Sequence, residues 1–415
     1  MIRRLLVDIT PLRTSAAFRR LWLGSTLSAV GSQMTTFAVA LQVYLLTGSP
    51  AAVGAVGLAT AVPGITFGLF GGSVVDAVDR RRLVLLTSTF AMALSAVLAA
   101  QAFAGLRELW LLYVVVAAGS LSGALGAPAR RTFMPRLLPA SQVPAGAALT
   151  MLSMHASLVI GPALAGLVAA AGGLKVCYLV DALTTVGSLY GVFRLPSMRP
   201  EGAGSRPGVR SVLDGLGFLR RSRVLTGALL ADVNATVLAM PVALFPAVNA
   251  DRFGGSPTTL GLLTTALGVG GVAGSALSGP VGRIHRQGRA MLVAGMIWGA
   301  ALAGFGVVHG LAASLALLVV ASVADVSSVV LRTTIVQVGT PDGYRGRISS
   351  AEYVVGSMCP QLGNVRAGAV ASLTTPNISA VSGGLSCIVG AGIIALTFPA
   401  LVRYRPSPER ELVPA

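Results

Sequence analysis

Few residues of this sequence could take part in chemistry, because only 11% of its 415 residues are charged. Five polar side chains stand inside long apolar stretches, and these are Gln33, His155, Asp232, Asp325 and Arg366. An ionisable side chain at bilayer depth costs roughly 2.5–3.5 kcal/mol on insertion scales, so it needs a partner or a water-filled cavity. Groups of this kind bind protons, ions or the polar parts of a ligand, and we take these five as candidate binding residues.

Asp325 lies near the middle of its apolar stretch. It shares one helix face with Ser322, Ser328 and Arg332, which stand at i−3, i+3 and i+7. The spacing predicts a polar stripe with two open interpretations. Asp325 either binds a proton or a ligand, or it is a structural partner of Arg332 or of a hydroxyl.

The other candidates carry similar alternatives. Asp232 stands nine residues before Pro241, and a carboxylate at bilayer depth suits a proton carrier. Arg366 could bind an anionic group or close an ion pair. His155 is a packed, hydrogen-bonded residue or a proton relay, and Gln33 is expected beside it on a cavity wall. Asp181 has hydroxyls along its helix face, and we expect a structural role for it.

The sequence offers no cluster for catalysis or metal binding. Its three histidines lie far apart, and its three cysteines stand in apolar runs without a C-x-x-C pair. Lys175 is the only lysine, and no phosphate-binding loop surrounds it. We therefore expect no metal and no cofactor, and we regard a membrane-embedded enzyme as an unfavoured alternative.

The composition places these residues in a membrane protein. Hydrophobic residues make up 54% of the chain, and its mean hydropathy is +0.79. A bilayer core needs about 20 apolar residues per helix, and the apolar runs predict an all-α membrane protein with twelve transmembrane helices. The expected spans are 21–46, 51–76, 82–104, 108–129, 144–171, 174–194, 224–249, 257–282, 290–309, 311–335, 348–373 and 378–402. A polar connection divides them into halves at 1–195 and 224–415, with a cytoplasmic loop at 196–223 that could form a short amphipathic helix.

The basic residues predict the orientation. The net charge is +17, which in a soluble protein would suggest nucleic acid. With both termini in the cytoplasm, however, 27 of the 31 Lys and Arg residues fall on the inner side. The positive-inside rule is then met at every loop. We expect a multi-pass protein of the cell membrane, with the lipid bilayer and not nucleic acid as its surroundings.

The two halves are repeats in sequence. An offset of 207 residues aligns Gly48-Ser49-Pro50 with Gly255-Ser256-Pro257. An offset of 202 aligns Arg130 with Arg332 and Gly161 with Gly363. Two six-helix pseudo-repeats in parallel are the plan of the major facilitator fold, in which the substrate site lies at the membrane midplane.

Two motifs strengthen this comparison. The segment after span 2 resembles the major facilitator signature G-x-x-x-D-[RK]-x-G-[RK]-[RK], and it matches at Gly72, Asp76, Arg80 and Arg81. It departs from the signature at Ala77 and Asp79. The resemblance implies a gating latch at the cytoplasmic end of span 2. Span 5 resembles the G-P-x-x-G motif of the exporter branch at Gly161, Pro162 and Gly166, with one residue extra before the last glycine.

Other segments resemble the group of the superfamily that contains enterobactin exporters and macrolide-efflux proteins. They are Phe18–Trp22, Leu46–Pro50, Leu179–Ala182 and Thr340–Arg347. The resemblance implies secondary active efflux of a small amphipathic molecule by alternating access, in antiport with protons and by a functional monomer. The arginine often found in span 4 of proton-coupled drug antiporters is missing, so it cannot carry the coupling here. An importer or facilitator in the same fold is the remaining alternative.

Overall fold

The computed structural model describes residues 8–198, 217, 222–341, 348, 352 and 354–405, and it gives only the backbone for residues 68–77. Twelve of the described helices correspond to the predicted spans. We label them α1 (Ala16–Thr47), α2 (Pro50–Ala77), α3 (Arg80–Phe103), α4 (Leu109–Arg131), α5 (Val143–Gly172), α6 (Leu174–Phe193), α7 (Arg223–Ala239), α8 (Pro257–Ala276), α9 (Gln287–Val307), α10 (Leu311–Gly339), α11 (Cys359–Leu373) and α12 (Pro376–Thr397).

These helices confirm the all-α membrane fold. Within the described residues, eleven helical stretches are long and apolar enough to cross a membrane. The remaining predicted span, 348–373, falls partly outside the described residues. It is described from a π-helical turn, Val354–Met358, into α11. The predicted amphipathic helix of the central loop lies outside the described residues, apart from Gly217.

Local sequence explains where the helices begin and end. Gly48 ends α1 in the left-handed conformation, with φ +62°, which glycine adopts without a steric penalty. Ser49 then accepts a hydrogen bond from the backbone N–H of Ala52, and Pro50 starts α2. The repeat-related turn is built in the same way, since Gly255 has φ +73° and Pro257 starts α8. The sequence repeat is therefore a repeat in structure.

The seventh span differs from its prediction. A single helix was expected over 224–249, but α7 ends at Ala239. Met240 is extended, a 3-10 turn covers Val242–Leu244, and a separate helix runs over Phe245–Arg252. Pro241 explains the break, because proline disfavours the helical conformation of the residue before it and cannot donate a backbone hydrogen bond.

The chain forms two compact units. Unit 1 comprises Met1–Pro207 and Phe245–Gly268, and unit 2 comprises Gly208–Leu244 and Val269–Ala415. In unit 1, α6 packs against α1 and α3, and α2 packs against α4. In unit 2, α9 packs against α10 and α12, and α7 packs against α11 and α12. The predicted division at 1–195 and 224–415 stays a prediction.

Candidate functional site

A buried ion pair lies inside unit 2. Arg332 on α10 and Asp232 on α7 are 5% and 3% exposed. Arg332 Nη1 lies 3.5 Å from Asp232 Oδ2. Arg332 Nε and Nη1, like Asp232 Oδ2, have no hydrogen-bond partner among the described residues. The pair is therefore held by charge attraction rather than by a well-aligned hydrogen bond.

Two further acids surround this pair. Asp325, about two helical turns before Arg332 on α10, and Glu352, which precedes the π-helical turn, both interact electrostatically with Arg332 and Asp232. Gly356 lies beside the guanidinium, since a Cβ at that position would be in van der Waals contact with Arg332 Nη2, at 3.4 Å. We call Asp232, Asp325, Arg332 and Glu352 the C-terminal charge cluster. It contains three acidic side chains and one basic side chain.

The cluster brings together two of the predicted candidates. Asp325 and Asp232 were selected separately, and the structure places both beside Arg332. The partner of Arg332 at ion-pair distance is Asp232. Asp325 is partly buried, and it forms no ion pair within the part of the chain that the structure describes. Whether either acid carries protons or binds substrate stays a prediction.

Arg366 connects three helices of unit 2. Its Nη1 donates to the backbone carbonyl of Leu238 at 2.6 Å, and its Nη2 donates to Ser382 Oγ at 3.4 Å. Leu238 stands in the last turn of α7, where carbonyl groups lack helical partners and attract cations. The guanidinium thus secures α7 just before its break. Anion binding by Arg366 stays a prediction.

Gln33 lies at the crossing of α1 and α5. A Cβ at Gly161 would lie 2.4 Å from the Cβ of Gln33, so the two helices approach closely because residue 161 has no side chain. The repeat-related Gly363 has the same role between α11 and α7, where a Cβ would lie 2.0 Å from the Thr236 carbonyl oxygen. His155 is half-buried on α5. The structure therefore brings Gln33 to the exporter-like motif.

The rest of the exporter-like motif packs against α8 within unit 1. Pro162 lies inside α5, and a Cβ on Gly166 would be 3.1 Å from the Cα of Gly261. A Cβ on Gly261 would lie 2.9 Å from the Pro162 carbonyl oxygen. The glycines let the two backbones approach each other without intervening side chains, as small residues do in membrane helix packing.

The gating signature is only partly described. Only the backbone is described at Gly72 and Asp76, where α2 is helical through Ala77. The backbone N–H of Arg80 donates to the Met198 carbonyl at 3.1 Å. Arg81 Nη2 donates to the Phe193 carbonyl at 2.6 Å, at the end of α6.

Asp79, which departs from the signature, links α3 to the segment after α6. Its carboxylate accepts from the backbone N–H of Arg82 at 3.0 Å, from that of Met198 at 3.2 Å and from Ser197 Oγ. Partial burial raises the pKa of Asp79, but the hydrogen bonds from Ser197 and from these backbone N–H groups outweigh it and hold the pKa below its usual value. Asp79 is therefore an ionised N-cap.

Unit 1 contains a cavity of about 370 Å³ among α1, α3, α4 and α6. Hydroxyl groups and small residues line it, together with Asp181 and Arg130. Arg130 Nη2 donates to Ser88 Oγ at 2.6 Å, and its Nη1 donates to Ser188 Oγ at 3.4 Å. We call this space the N-terminal cavity.

Sequence reasoning did not select Arg130 as a site residue. A signal existed, because the 202-residue offset aligns Arg130 with Arg332. Both arginines stand near the end of a long helix and point into the interior of their own unit, one beside hydroxyls and one beside a carboxylate.

A polytopic all-α protein with two repeat-related units and charged side chains buried inside membrane helices is a membrane transporter. The model of the family described as "Transmembrane secretion effector" matches residues 7–406. The chain therefore belongs to this family of the major facilitator superfamily, and it is a transport protein rather than an enzyme.

Relatives and solved structures agree with this assignment. The chain is 27% identical to the enterobactin exporter EntS of Shigella boydii serotype 18 over 408 residues, which cover 97% of each chain. Its fold is similar to that of the nucleoside transporter NupG, with a TM-score of 0.72, 12% identity and coverage of 94% of this chain and 100% of that one. A bacterial homologue of the iron transporter ferroportin gives a TM-score of 0.67, 18% identity and coverage of 94% and 99%. These structures show that the fold is that of the major facilitator superfamily.

Proposed function

We propose that this protein exports a small amphipathic molecule, such as a siderophore, an antibiotic or a drug-like metabolite, from the cell by alternating access. The observation that carries the proposal is the similarity to enterobactin exporters, which extends over 97% of both chains. The motif of α5 at Gly161, Pro162 and Gly166 supports the same direction, because it resembles the G-P-x-x-G motif of the exporter branch.

The export is driven by protons in this proposal. Asp325 is the coupling or substrate-binding acid of unit 2, since Asp232 already has Arg332 as its partner. Protonation of Asp325 leaves no ion pair broken, whereas protonation of Asp232 leaves a buried guanidinium without its counter-charge. The signature residues Gly72, Asp76, Arg80 and Arg81 form the inner gate, and the protein works as a monomer.

Transport into inverted membrane vesicles tests the function. Vesicles with an acidic interior should accumulate labelled enterobactin or a labelled macrolide when they contain this protein, and accumulation should stop when the proton gradient is collapsed. The Asp325→Asn variant should lose accumulation against a gradient. Uptake by right-side-out vesicles alone would show an importer, and gradient-independent equilibration would show a facilitator. A comparison of metabolites inside and outside cells with and without the protein would then identify the natural substrate.

The orientation is tested by cysteine labelling. In a variant lacking the native cysteines, single cysteines at Gly48, Ala171 and Asn377 should react with an impermeant reagent from outside the cell. A cysteine at Arg403 should react only after the membrane is opened, because the C-terminus is cytoplasmic in this proposal. A reversed pattern at any of these loops would contradict the proposed topology.

A further inference from the structure

Asp181 is a buried acid whose described partners are all neutral. It lies in the middle of α6 and is 4% exposed. Its Oδ2 accepts hydrogen bonds from Thr35 Oγ1 at 2.8 Å and Ser95 Oγ at 2.7 Å. Its Oδ1 accepts from Ser32 Oγ at 3.4 Å. Across the residues that the structure describes, Asp181 forms no ion pair.

Hydroxyl partners allow Asp181 to exist with or without a proton. A hydroxyl donates to a carboxylate, and after rotation it accepts from a carboxylic acid. Proton binding therefore leaves no buried polar group without a partner at Asp181. Proton binding at Asp232 would instead leave Arg332 without its ion-pair partner, and breaking a buried ion pair in this way typically costs about 3–5 kcal/mol.

The N-terminal cavity gives protons access to this acid. The cavity lining extends along α4 from Gly119 to Arg130, which is about 16 Å at 1.5 Å per residue. A cavity of about 370 Å³ that hydroxyl groups line in part has room for several water molecules. Ser32, one of the three donors to Asp181, is itself exposed. A hydroxyl-lined route thus ends at the carboxylate.

Arg130 is the charged group that faces this cavity from α4. It donates to Ser188, which lies seven residues beyond Asp181 on α6, or about 10.5 Å along the helix. Among the described residues, Arg130 forms no ion pair with Asp181. On α6 itself, Tyr178 OH donates to Gln42 Oε1 at 2.6 Å, and Cys177 Sγ donates to the Ala165 carbonyl at 3.7 Å. The other titratable side chains of the neighbouring helices are Arg19, Arg20 and Tyr44 on α1, Arg80, Arg81 and Arg82 on α3, Tyr113 and Arg131 on α4, and His155 on α5.

We infer that Asp181 is a proton-binding site of unit 1, reached through the N-terminal cavity and distinct from Asp325. The inference deepens the proposed proton-coupled export and rests on it for its role in transport. Proton binding itself can be measured without any substrate, so a failure of this assignment is distinguishable from a failure of the export proposal.

Infrared spectroscopy of the purified protein in lipid nanodiscs tests the assignment. Difference spectra between two pH values should contain the C=O stretching band of a protonated carboxylic acid, which shifts in D₂O. The component of this band that belongs to Asp181 should be lost in Asp181→Asn and retained in Asp325→Asn. Glu108→Gln removes an exposed carboxylate and is the matched control, which should leave the band unchanged. A band of wild-type amplitude in Asp181→Asn would overturn the assignment.

A second variant keeps the test decisive if Asp181→Asn does not fold. Ser95→Ala removes one hydroxyl from the acid and preserves the carboxyl group. Because hydrogen bonding lowers the stretching frequency of a carbonyl group, the band should move to higher frequency in Ser95→Ala. Ser122→Ala removes a cavity hydroxyl that donates to the Thr87 carbonyl instead, and it should leave the frequency unchanged. An unchanged frequency in Ser95→Ala would contradict the assignment.

Discussion

The ion pair between Arg332 and Asp232 makes a quantitative prediction about stability. Two unit charges 3.5 Å apart attract each other by about 5 kcal/mol at an effective dielectric constant of 20. Both side chains are buried, so removing one of them leaves the other without its ion-pair partner, at a typical cost of about 3–5 kcal/mol. We expect Arg332→Gln and Asp232→Asn each to lower the free energy of unfolding by this amount.

The two single variants should differ in how their stability depends on pH. In Arg332→Gln, Asp232 can take up a proton, and protonating an aspartate of ordinary pKa at pH 7 costs about 4 kcal/mol. The free energy of unfolding that Arg332→Gln loses is therefore limited to about 4 kcal/mol at pH 7, and this loss should fall by about 1.4 kcal/mol for each pH unit below 7. In Asp232→Asn, Arg332 stays charged and keeps only its longer-range interactions with Asp325 and Glu352.

A double-mutant cycle measures the pair directly. Unfolding by SDS in mixed micelles gives the free energies of the wild type, the two single variants and the double variant Asp232→Asn/Arg332→Gln. The double variant should lose less than either single variant, because neither charge is left alone. Glu108→Gln is the exposed control and should change little. Additive losses in the double variant would show that the two side chains do not stabilise each other, and the reasoning would be wrong.

Three other changes have defined outcomes. Gly363→Ala should lower thermal stability strongly, because its Cβ would lie 2.0 Å from a backbone oxygen of α7, whereas Gly392→Ala meets nothing within 4 Å and should be neutral in the same melting experiment. Asp79→Ala should cost about 0.5–2 kcal/mol of stability. That cost is fully present above pH 4 and disappears as the pH falls through the lowered pKa of Asp79. The control is Glu108→Ala, because Glu108 is an N-cap whose side chain makes no capping hydrogen bond. This control should show no such pH dependence in urea or thermal unfolding. Asp76→Asn should reduce transport in vesicles while the protein remains at normal abundance, and wild-type transport by this variant would refute the gating role.

Local sequence rules predicted most of the helices. Gly48-Ser49-Pro50 shows why, since each residue of this turn has a separate physical role: glycine ends a helix, serine caps the next one and proline starts it. These roles depend only on residues that are neighbours in the chain. The apolar run on each side of the turn predicts a membrane span from its length alone. The 207-residue offset then predicts the same kind of turn at Gly255.

Pairwise contacts between distant residues were not predictable in this way. Arg332 has Ser328 and Asp325 on its own helix face, but its partner at ion-pair distance is Asp232 on another helix. Periodicity along α10 orders the residues of one helix and contains no information about which helix packs against it. The break after Ala239 was missed for another reason, because hydropathy is continuous across Pro241 while the backbone is not.

The repeat-related arginines show how two halves of one sequence have diverged. Arg332 faces Asp232, and the 207-residue offset places Ser25 at the corresponding position of the first half. Ser25 lines the N-terminal cavity, so a hydroxyl stands there where unit 2 has a carboxylate. Arg130 consequently binds Ser88 and Ser188. The buried acid of unit 1 is Asp181 on α6, and the described hydrogen-bond partners of its carboxylate are hydroxyl groups. In unit 2, Asp232 is therefore held in an ion pair with Arg332. In unit 1, by our inference, Asp181 can gain or lose a proton without leaving a buried cation unpaired.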